Sequence, residues 1–281
     1  SGIGLETAKA LARAGARVTV PARSLDKARA ALDGAGIAIT ELDLMAPDSI
    51  ERFASGWLSA HSKLDILICN AAIMANPLTR DARGFESQFA TNHLGHFELI
   101  CRLWPALAKA QGARVVCLSS IGHRLSPVDF DDWNFERRPY EKWSAYGQAK
   151  TANSLCAVGL DSRGKAAGVR AFAVHPGGIM TDLQRHLPRE EQIAMGWMDE
   201  AGNLNEMFKT VPQGAATTVW AATSPQLDGM GGVYCEDCDI AAISEPGSKG
   251  WSGVRRHAID PDAAEQLWAL SQRLTGAALA P

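Results

Sequence analysis

The chain has 281 residues, 46% of them hydrophobic, with 28 basic and 31 acidic side chains mixed along it and a net charge of -3. That suffices for one large α/β domain over residues 1–281; no Ser/Pro-rich or charge-blocked linker divides it, and no basic cluster offers a face to nucleic acid. No apolar run approaches the roughly 20 residues of a membrane span, and the six scattered cysteines read as free thiols in a reducing, cytoplasmic setting.

The first residues, "SGIGLETAKALARAG", carry Gly2 and Gly4 into an alanine-rich amphipathic helix pattern over 5–15, as a nucleotide-binding loop does where it enters its helix. Apolar or β-branched runs follow at 17–22, 37–43, 64–72, 113–120 and 169–177. Helical patterns near 24–33, 47–61, 81–110 and 143–165 separate them. Continuous apolar strands alternating with helices predict a doubly wound parallel sheet covered on both faces. A helix near 212–222, a strand at 231–236 and a helix near 261–275 complete the chain, while 179–210 is less regular. Cys235-x-x-Cys238 lacks the second ligand pair that a zinc site needs and reads as a turn.

Ligands of an open parallel sheet bind at the carboxyl ends of its strands. The polar residues at those exits are Arg23, Asp43, Asn70, Ser119–Ser120 and Pro176–Gly177. On the helical pattern "SAYGQAKTANSL", Tyr146 and Lys150 stand four apart and so share a face. A phenol is a poor base near neutral pH, and a neighbouring ammonium is expected to lower its pKa and make it a usable acid/base.

The motifs "SGIG" (1–4), "LDL" (42–44), "NAA" (70–72), "TNHLGHF" (91–97), "VVCLSS" (115–120), "YGQAK" (146–150), "HPGGIMT" (175–181) and "GGVYCEDC" (231–238) occur in this order. With the tail "DPDAAEQLWALSQRLTG" (260–276), they resemble the short-chain dehydrogenase/reductase superfamily. Within it they resemble the retinol-dehydrogenase, WW-domain-oxidoreductase and protochlorophyllide-reductase-like branch. The family's glycine motif reads Thr-Gly-x-x-x-Gly-x-Gly after a first strand. The resemblance implies that Ser1-Gly2-Ile3-Gly4 is only its end, with the first strand and first glycine lacking.

Carried over residue by residue, the resemblance makes Tyr146 the proton donor or acceptor at the substrate oxygen. Lys150 would lower its pKa and hold the nicotinamide ribose. Ser120 would orient the carbonyl, leaving Ser119 to packing, and Asn92 would hold a water of the proton relay. Ser1, Gly2, Ile3 and Gly4 would cradle the dinucleotide; Asp43 and Leu44 would meet the adenine, Asn70 and Ala71 the ribose. Pro176, Gly177, Ile179 and Thr181 would lie against the nicotinamide side. The strand at 17–22 ends in Ala22-Arg23-Ser24 with no acid to hold a ribose diol, so Arg23 is expected to meet a 2′-phosphate and favour NADP(H) over NAD(H). Asp26 and Lys27 read as helix-start residues.

Residues 121–145 form an insertion longer than in the simplest family members, and it either walls the substrate site or packs its aromatics locally. His93, His96, His123 and His175 read as structural rather than metal-binding. Trp133 and Trp143 flank the insertion. Met180, Met195, Trp197 and Met198 populate a lid segment (179–210) that suits an apolar alcohol, aldehyde or ketone. Reduction of a conjugated C=C bond and a noncatalytic dinucleotide-binding regulator are the alternative readings. The sequence does not distinguish a monomer from a homo-oligomer.

Overall fold

The structure, a computed structural model, describes residues 2–248 and 250–280. Helix α1 (Gly2–Arg13) leads to strand β1 (Thr19–Ala22), helix α2 (Leu25–Leu32), strand β2 (Ala38–Glu41), helix α3 (Pro47–Ala60) and strand β3 (Ile66–Cys69). The next helical stretch changes pitch twice: α4 (Ser87–Phe89), a π-helical turn Ala90–Leu94, then α5 (Gly95–Ala110). Strand β4 (Arg114–Leu118), helix α6 (Lys142–Gly164) and strand β5 (Arg170–His175) form the centre. Strand β6 (Gly178–Ile179), helix α7 (Arg189–Ala194), strand β7 (Phe208–Lys209), helix α8 (Val211–Thr223), strands β8 (Val233–Glu236) and β9 (Asp239–Ile240), and helix α9 (Pro261–Thr275) follow. Each expected strand is present but shorter than its apolar run, whereas α1 begins earlier than expected, at Gly2, α8 is longer at each end, and the helix expected over 81–110 starts only at Ser87.

The principal sheet runs β3-β4-β5-β8-β9, parallel except for the β8–β9 hairpin. Cys69 stands opposite Cys117, Cys117 opposite Ala173, and Val174 opposite Cys235. Strands β1 and β2 form a separate parallel pair, and among the described residues β1 has no partner but β2 and β3 none but β4. The Cys235-x-x-Cys238 stretch is the β8–β9 turn: Asp237 and Cys238 both take left-handed φ, as a two-residue hairpin of this hand requires.

Side chains of β4 alternate between faces, as the period of two demands. Val115 and Cys117 join Phe97, Ile100, Leu107, Leu160 and Trp268 beneath α5, α6 and α9. Val116 and Leu118 join Phe172, Val174, Ala221 and Leu227 beneath α8. Helix α9 starts where Asp260 accepts the Ala263 N–H (2.8 Å) ahead of Pro261, and ends at left-handed Gly276. It covers α6 and lays Trp268 edge-on against Phe97, with ring centroids 4.9 Å apart.

The start of α5 lies against the segment after β2 so closely that a methyl group on Gly95 would collide with the Leu44 carbonyl oxygen and lie 2.8 Å from Leu44 Cβ. Gly56 of α3 has open space around its Cα. Gly95→Ala is therefore expected to lower unfolding stability in urea by about 1–3 kcal/mol. Gly56→Ala should raise it by about 0.4–1 kcal/mol. Equal effects of the two changes would contradict the close approach.

Candidate active site

Four segments meet at the carboxyl edge of the principal sheet: the π-helical turn, the exit of β4, the first turns of α6 and the exit of β5. The two serines after Leu118 diverge. Ser119 is buried; its hydroxyl donates to the Lys150 carbonyl (2.9 Å) and accepts from Ser154 (2.8 Å). Ser120 caps the short turn Ile121–Leu125, its Oγ accepting the Gly122 N–H at 3.0 Å. Its hydrogen is left to donate toward Tyr146 or a substrate.

Tyr146 and Lys150 project one turn apart from α6 and are 5% and 3% exposed. Gly122 permits the phenol ring to lie where it does, since a methyl there would stand 2.7 Å from Tyr146 Cε1 and 3.4 Å from Ser120 Oγ. Sequence reasoning missed this glycine, because nothing local in "SSIGH" marks it. Burial pushes the Tyr146 hydroxyl up to about 12, with only its hydrogen bond to Ser120 opposing. The expectation that Lys150 lowers the phenol's pKa is not what this geometry produces. Lys150 Nζ donates to the Leu118 carbonyl (2.9 Å) and lies 5.7 Å from the centre of the Tyr146 ring. Burial brings the ammonium itself down to about 8.

Asn92 is fully buried in the π-helical turn, a distortion frequent at functional sites. Its side chain closes a two-way bond with the Ile73 backbone: Oδ1 accepts the Ile73 N–H and Nδ2 donates to the Ile73 carbonyl, both at 2.9 Å. The side chain thus ties the segment after "NAA" to the helix. The next residues are held as firmly: buried Ala75 takes a left-handed φ of 50° and donates its N–H to Gln88 Oε1 at 2.9 Å. His93 Nε2 pairs with Ser271 Oγ at 2.7 Å, and His96 Nδ1 meets the Asn92 carbonyl at 2.9 Å.

Of the expected dinucleotide residues, Gly2 lies beside Thr181, Gly4 beside Asn70, and Ile3 and Ile179 both beside Gly214. Ser1 lies outside the described residues. Gly2 takes φ 64°, and a methyl there would stand 3.3 Å from Thr181 Cγ2. One on Gly4 would collide with the Asn70 amide, and one on Gly214 would lie 2.6 Å from Ile179 Cγ1 and 3.4 Å from Ile3. Gly177 is left-handed (φ 99°) beside the stem of Lys209, and Pro176 is buried. These glycines thus let the first turn of α1, the exits of β3 and β5 and the first turn of α8 pack closely together, and a glycine-led helix start with its unpaired N–H groups suits the pyrophosphate of a dinucleotide. Asp43 uses one carboxylate oxygen to accept the Met45 N–H (2.9 Å), Leu44 is buried, and Ala71 is exposed. Arg23 is exposed at the end of β1 and makes no ion pair among the described residues.

Over Tyr146 lies an apolar shell of Met74, Ala75 and Leu187, backed by Trp143, Leu183 and Trp197. Trp143 stands edge-on to Tyr146 (6.3 Å) and to Trp197 (5.9 Å), and its indole N–H donates to Glu191 of α7 at 3.0 Å. Lys142 holds the same carboxylate at 2.6 Å, so the segment 179–210 is latched to the start of α6. The insertion divides its aromatics. Phe135 and Tyr140 pack on each other within it, and Trp133 packs on Phe85, just ahead of α4, and on Phe89 within that helix. Tyr140 donates to the Asn76 carbonyl at 3.0 Å, while among its aromatic side chains Trp143 stands against Tyr146.

Residues 1–192 match the family described as short chain dehydrogenase. A Streptomyces lividans protein named as an oxidoreductase is 47% identical over 277 residues, spanning 95% of this chain and 92% of that one. Retinol dehydrogenase 12 of Mus musculus is 36% identical over 283 residues, 98% of this chain and 84% of that one. A crystal structure of an uncharacterized protein from Mycobacterium paratuberculosis aligns with a TM-score of 0.77 at 35% identity, covering 100% of this chain and 92% of that one. The chain belongs to the short-chain dehydrogenase family, oxidoreductases that use an NAD(P) dinucleotide.

Proposed function

We propose that this protein transfers a hydride between NADP(H) and an apolar alcohol, aldehyde or ketone, with Tyr146 as general acid/base. The observation that carries the reading is the meeting of Ser120, Tyr146 and Lys150 at one point under an apolar shell. The bound dinucleotide supplies or accepts the hydride at its nicotinamide ring. Gly2, Ile3 and Gly4 would hold its pyrophosphate, Asp43 and Leu44 the adenine, and Asn70, Ala71 and Lys150 the riboses. Pro176, Gly177, Ile179 and Thr181 would hold the nicotinamide side, and Arg23 a 2′-phosphate.

Ser120 Oγ accepts the Gly122 N–H through one lone pair, which leaves its hydrogen available to donate to the substrate's carbonyl oxygen. Tyr146 donates its proton to that oxygen as negative charge develops on it. With burial holding the phenol at about 12, Tyr146 is protonated at neutral pH and ready as the acid of the reductive direction. Oxidation of an alcohol requires the phenolate, and the hydrogen bond from Ser120 favours that form. The shell of Met74, Leu187, Trp143 and Trp197 excludes water and suits an apolar substrate body.

A panel of aldehydes and ketones followed by NADPH consumption tests the activity. Tyr146→Phe is expected to lower kcat by at least about 10²-fold while leaving NADPH binding near that of the parent. Retention of a tenth of the activity would remove tyrosine from the proposed role.

Cofactor choice is read at Arg23. A charged hydrogen bond to phosphate is worth about 1.5–3 kcal/mol, so Arg23→Ala should lower kcat/KM for NADPH roughly tenfold to a hundredfold. It should leave NADH nearly untouched. An unchanged NADPH/NADH ratio would leave the phosphate preference without a carrier.

Lys150 gives a stability test. Its folded pKa, about 8 against the ordinary 10.5, means that the folded chain resists the proton the unfolded chain accepts. The penalty is complete below pH 8, fades between 8 and 10.5, and vanishes above. It amounts to something on the order of 3 kcal/mol. The Leu118 carbonyl keeps its second donor, Asn153 Nδ2 at 2.9 Å, when the ammonium is removed. Lys150→Met is therefore expected to unfold at higher urea than the parent at pH 7, the gain shrinking as pH rises through that window, while turnover is lost. A variant less stable than the parent at pH 7 would show that the lysine is a net structural asset.

A further inference from the structure

Two histidines behind the serine turn have tautomers dictated by backbone N–H groups, whose direction of donation is not in question. His123, fully buried, accepts the Arg255 N–H at Nε2 (3.0 Å), so its own hydrogen sits on Nδ1. That nitrogen lies 2.7 Å from the Ser120 carbonyl oxygen, with Tyr234 Oη as a second neighbour at 3.2 Å. His175, at the end of β5, is the converse. Its Nδ1 faces the N–H groups of Ile121 (3.2 Å) and Gly177 (3.4 Å), so its hydrogen sits on Nε2.

We propose that His123 and His175 are a pair of positioning residues in opposite tautomers that hold the peptide unit following Ser120 at both of its ends, His175 also fastening the serine turn to Gly177 of the dinucleotide loop. The Ser120–Ile121 peptide is thereby pinned at both ends: its carbonyl oxygen by a donor, its N–H by an acceptor. Protonating either ring would set an N–H against an N–H. Burial accordingly holds both rings neutral, His123 down at about 4 and His175 at about 3. The His257 ring, 3.0 Å from the His123 carbonyl, and the Arg255 N–H extend the brace to the segment before α9. The catalytic part of this inference rests on Ser120 acting as the substrate-orienting group; the tautomers do not.

The first test needs no substrate. Side-chain ¹⁵N NMR of the full chain at pH 7, assigned with His123→Asn and His175→Asn, is expected to show the Nδ1–H form for His123 and the Nε2–H form for His175. Either ring in the other form, or as imidazolium, overturns the proposal. The second test compares replacements. Asn places an amide donor or acceptor where Nδ1 stood, Gln moves it by one methylene, and Leu removes it. His123→Leu is expected to lower kcat about tenfold to a hundredfold with the NADPH Kd unchanged. His175→Leu should lower kcat similarly and raise the Kd about two- to tenfold through Gly177.

In both series Asn should restore kcat to within about threefold of the parent while Gln behaves like Leu. Folded Leu variants with parental kcat, or Asn and Gln variants of equal activity, overturn the proposal by showing that the rings only fill space. If the Leu variants do not fold, the Asn–Gln comparison decides. A parent that reduces no carbonyl overturns the functional reading alone, and the tautomers together with the NADPH Kd of the His175 series then judge the pair.

Discussion

The carbonyl oxygen of Leu118 receives two side-chain donors from one face of α6, Lys150 Nζ and Asn153 Nδ2, each at 2.9 Å. Ser119, the next residue, returns the bond to the Lys150 carbonyl, and Ser154 closes the set on Ser119. This interlock fixes both the translation and the rotation of α6 against the end of β4. Ser120 directly follows the clasp on the strand side, and Tyr146 lies one turn before it on the helix side, so their meeting leaves little adjustable freedom. Every group in the clasp is buried, and each one left unmet would cost about 1–3 kcal/mol. A helix slipped by one residue would strand several at once.

A clasp of this kind works only where the backbones can approach. Ala145, Ala149 and Ala152 are fully buried on α6, and a methyl on Gly147 would lie 2.8 Å from the Gly122 carbonyl. With α9, α4, the serine turn and the sheet all against it, α6 is apolar or small on nearly every side. Its buried polar residues, among them Gln148, Thr151, Asn153 and Ser154, are accommodated by bonds rather than by facing water.

This packing explains what could be read from the sequence. The strands were legible because apolar runs buried on both faces admit few other interpretations, and their exits named Asp43, Asn70, Ser120 and Gly177 without reference to any contact. Motif order identified the family and, with it, the Tyr146–Lys150 pair. Periodicity could not show that Lys150 turns to a backbone carbonyl, because that partner lies 32 residues away. Nor could it show the π-helical turn, which departs from the ordinary helical ladder around Asn92 inside a run that reads as one continuous helix. Gly95 and Gly122 are invisible for a related reason: each is required by an atom of a distant segment, Leu44 in one case and the Tyr146 ring in the other. The insertion divided along the same line. The Phe135–Tyr140 contact within it follows from composition, whereas the packing of Trp133 on Phe85 and Phe89 and the Glu191–Trp143 latch depend on where distant segments fall.

Burial also determines the charge state in which the site waits. Tyr146 is neutral up to about 12, while His123 and His175 are neutral down to about 4 and about 3. Lys150, at about 8, is the only one of the four that carries a charge near pH 7. The groups around the proposed reacting oxygen therefore present one cation amid neutral donors and acceptors whose directions are already fixed by hydrogen bonds. None of the four changes charge between pH 5 and pH 7, so the field at that point is steady over this range. A low-dielectric shell of Met74, Leu187, Trp143 and Trp197 strengthens the field of that single cation. The same burial that makes the ammonium costly to the fold makes it effective on an oxygen acquiring negative charge, and water admitted by an open shell would diminish both effects together.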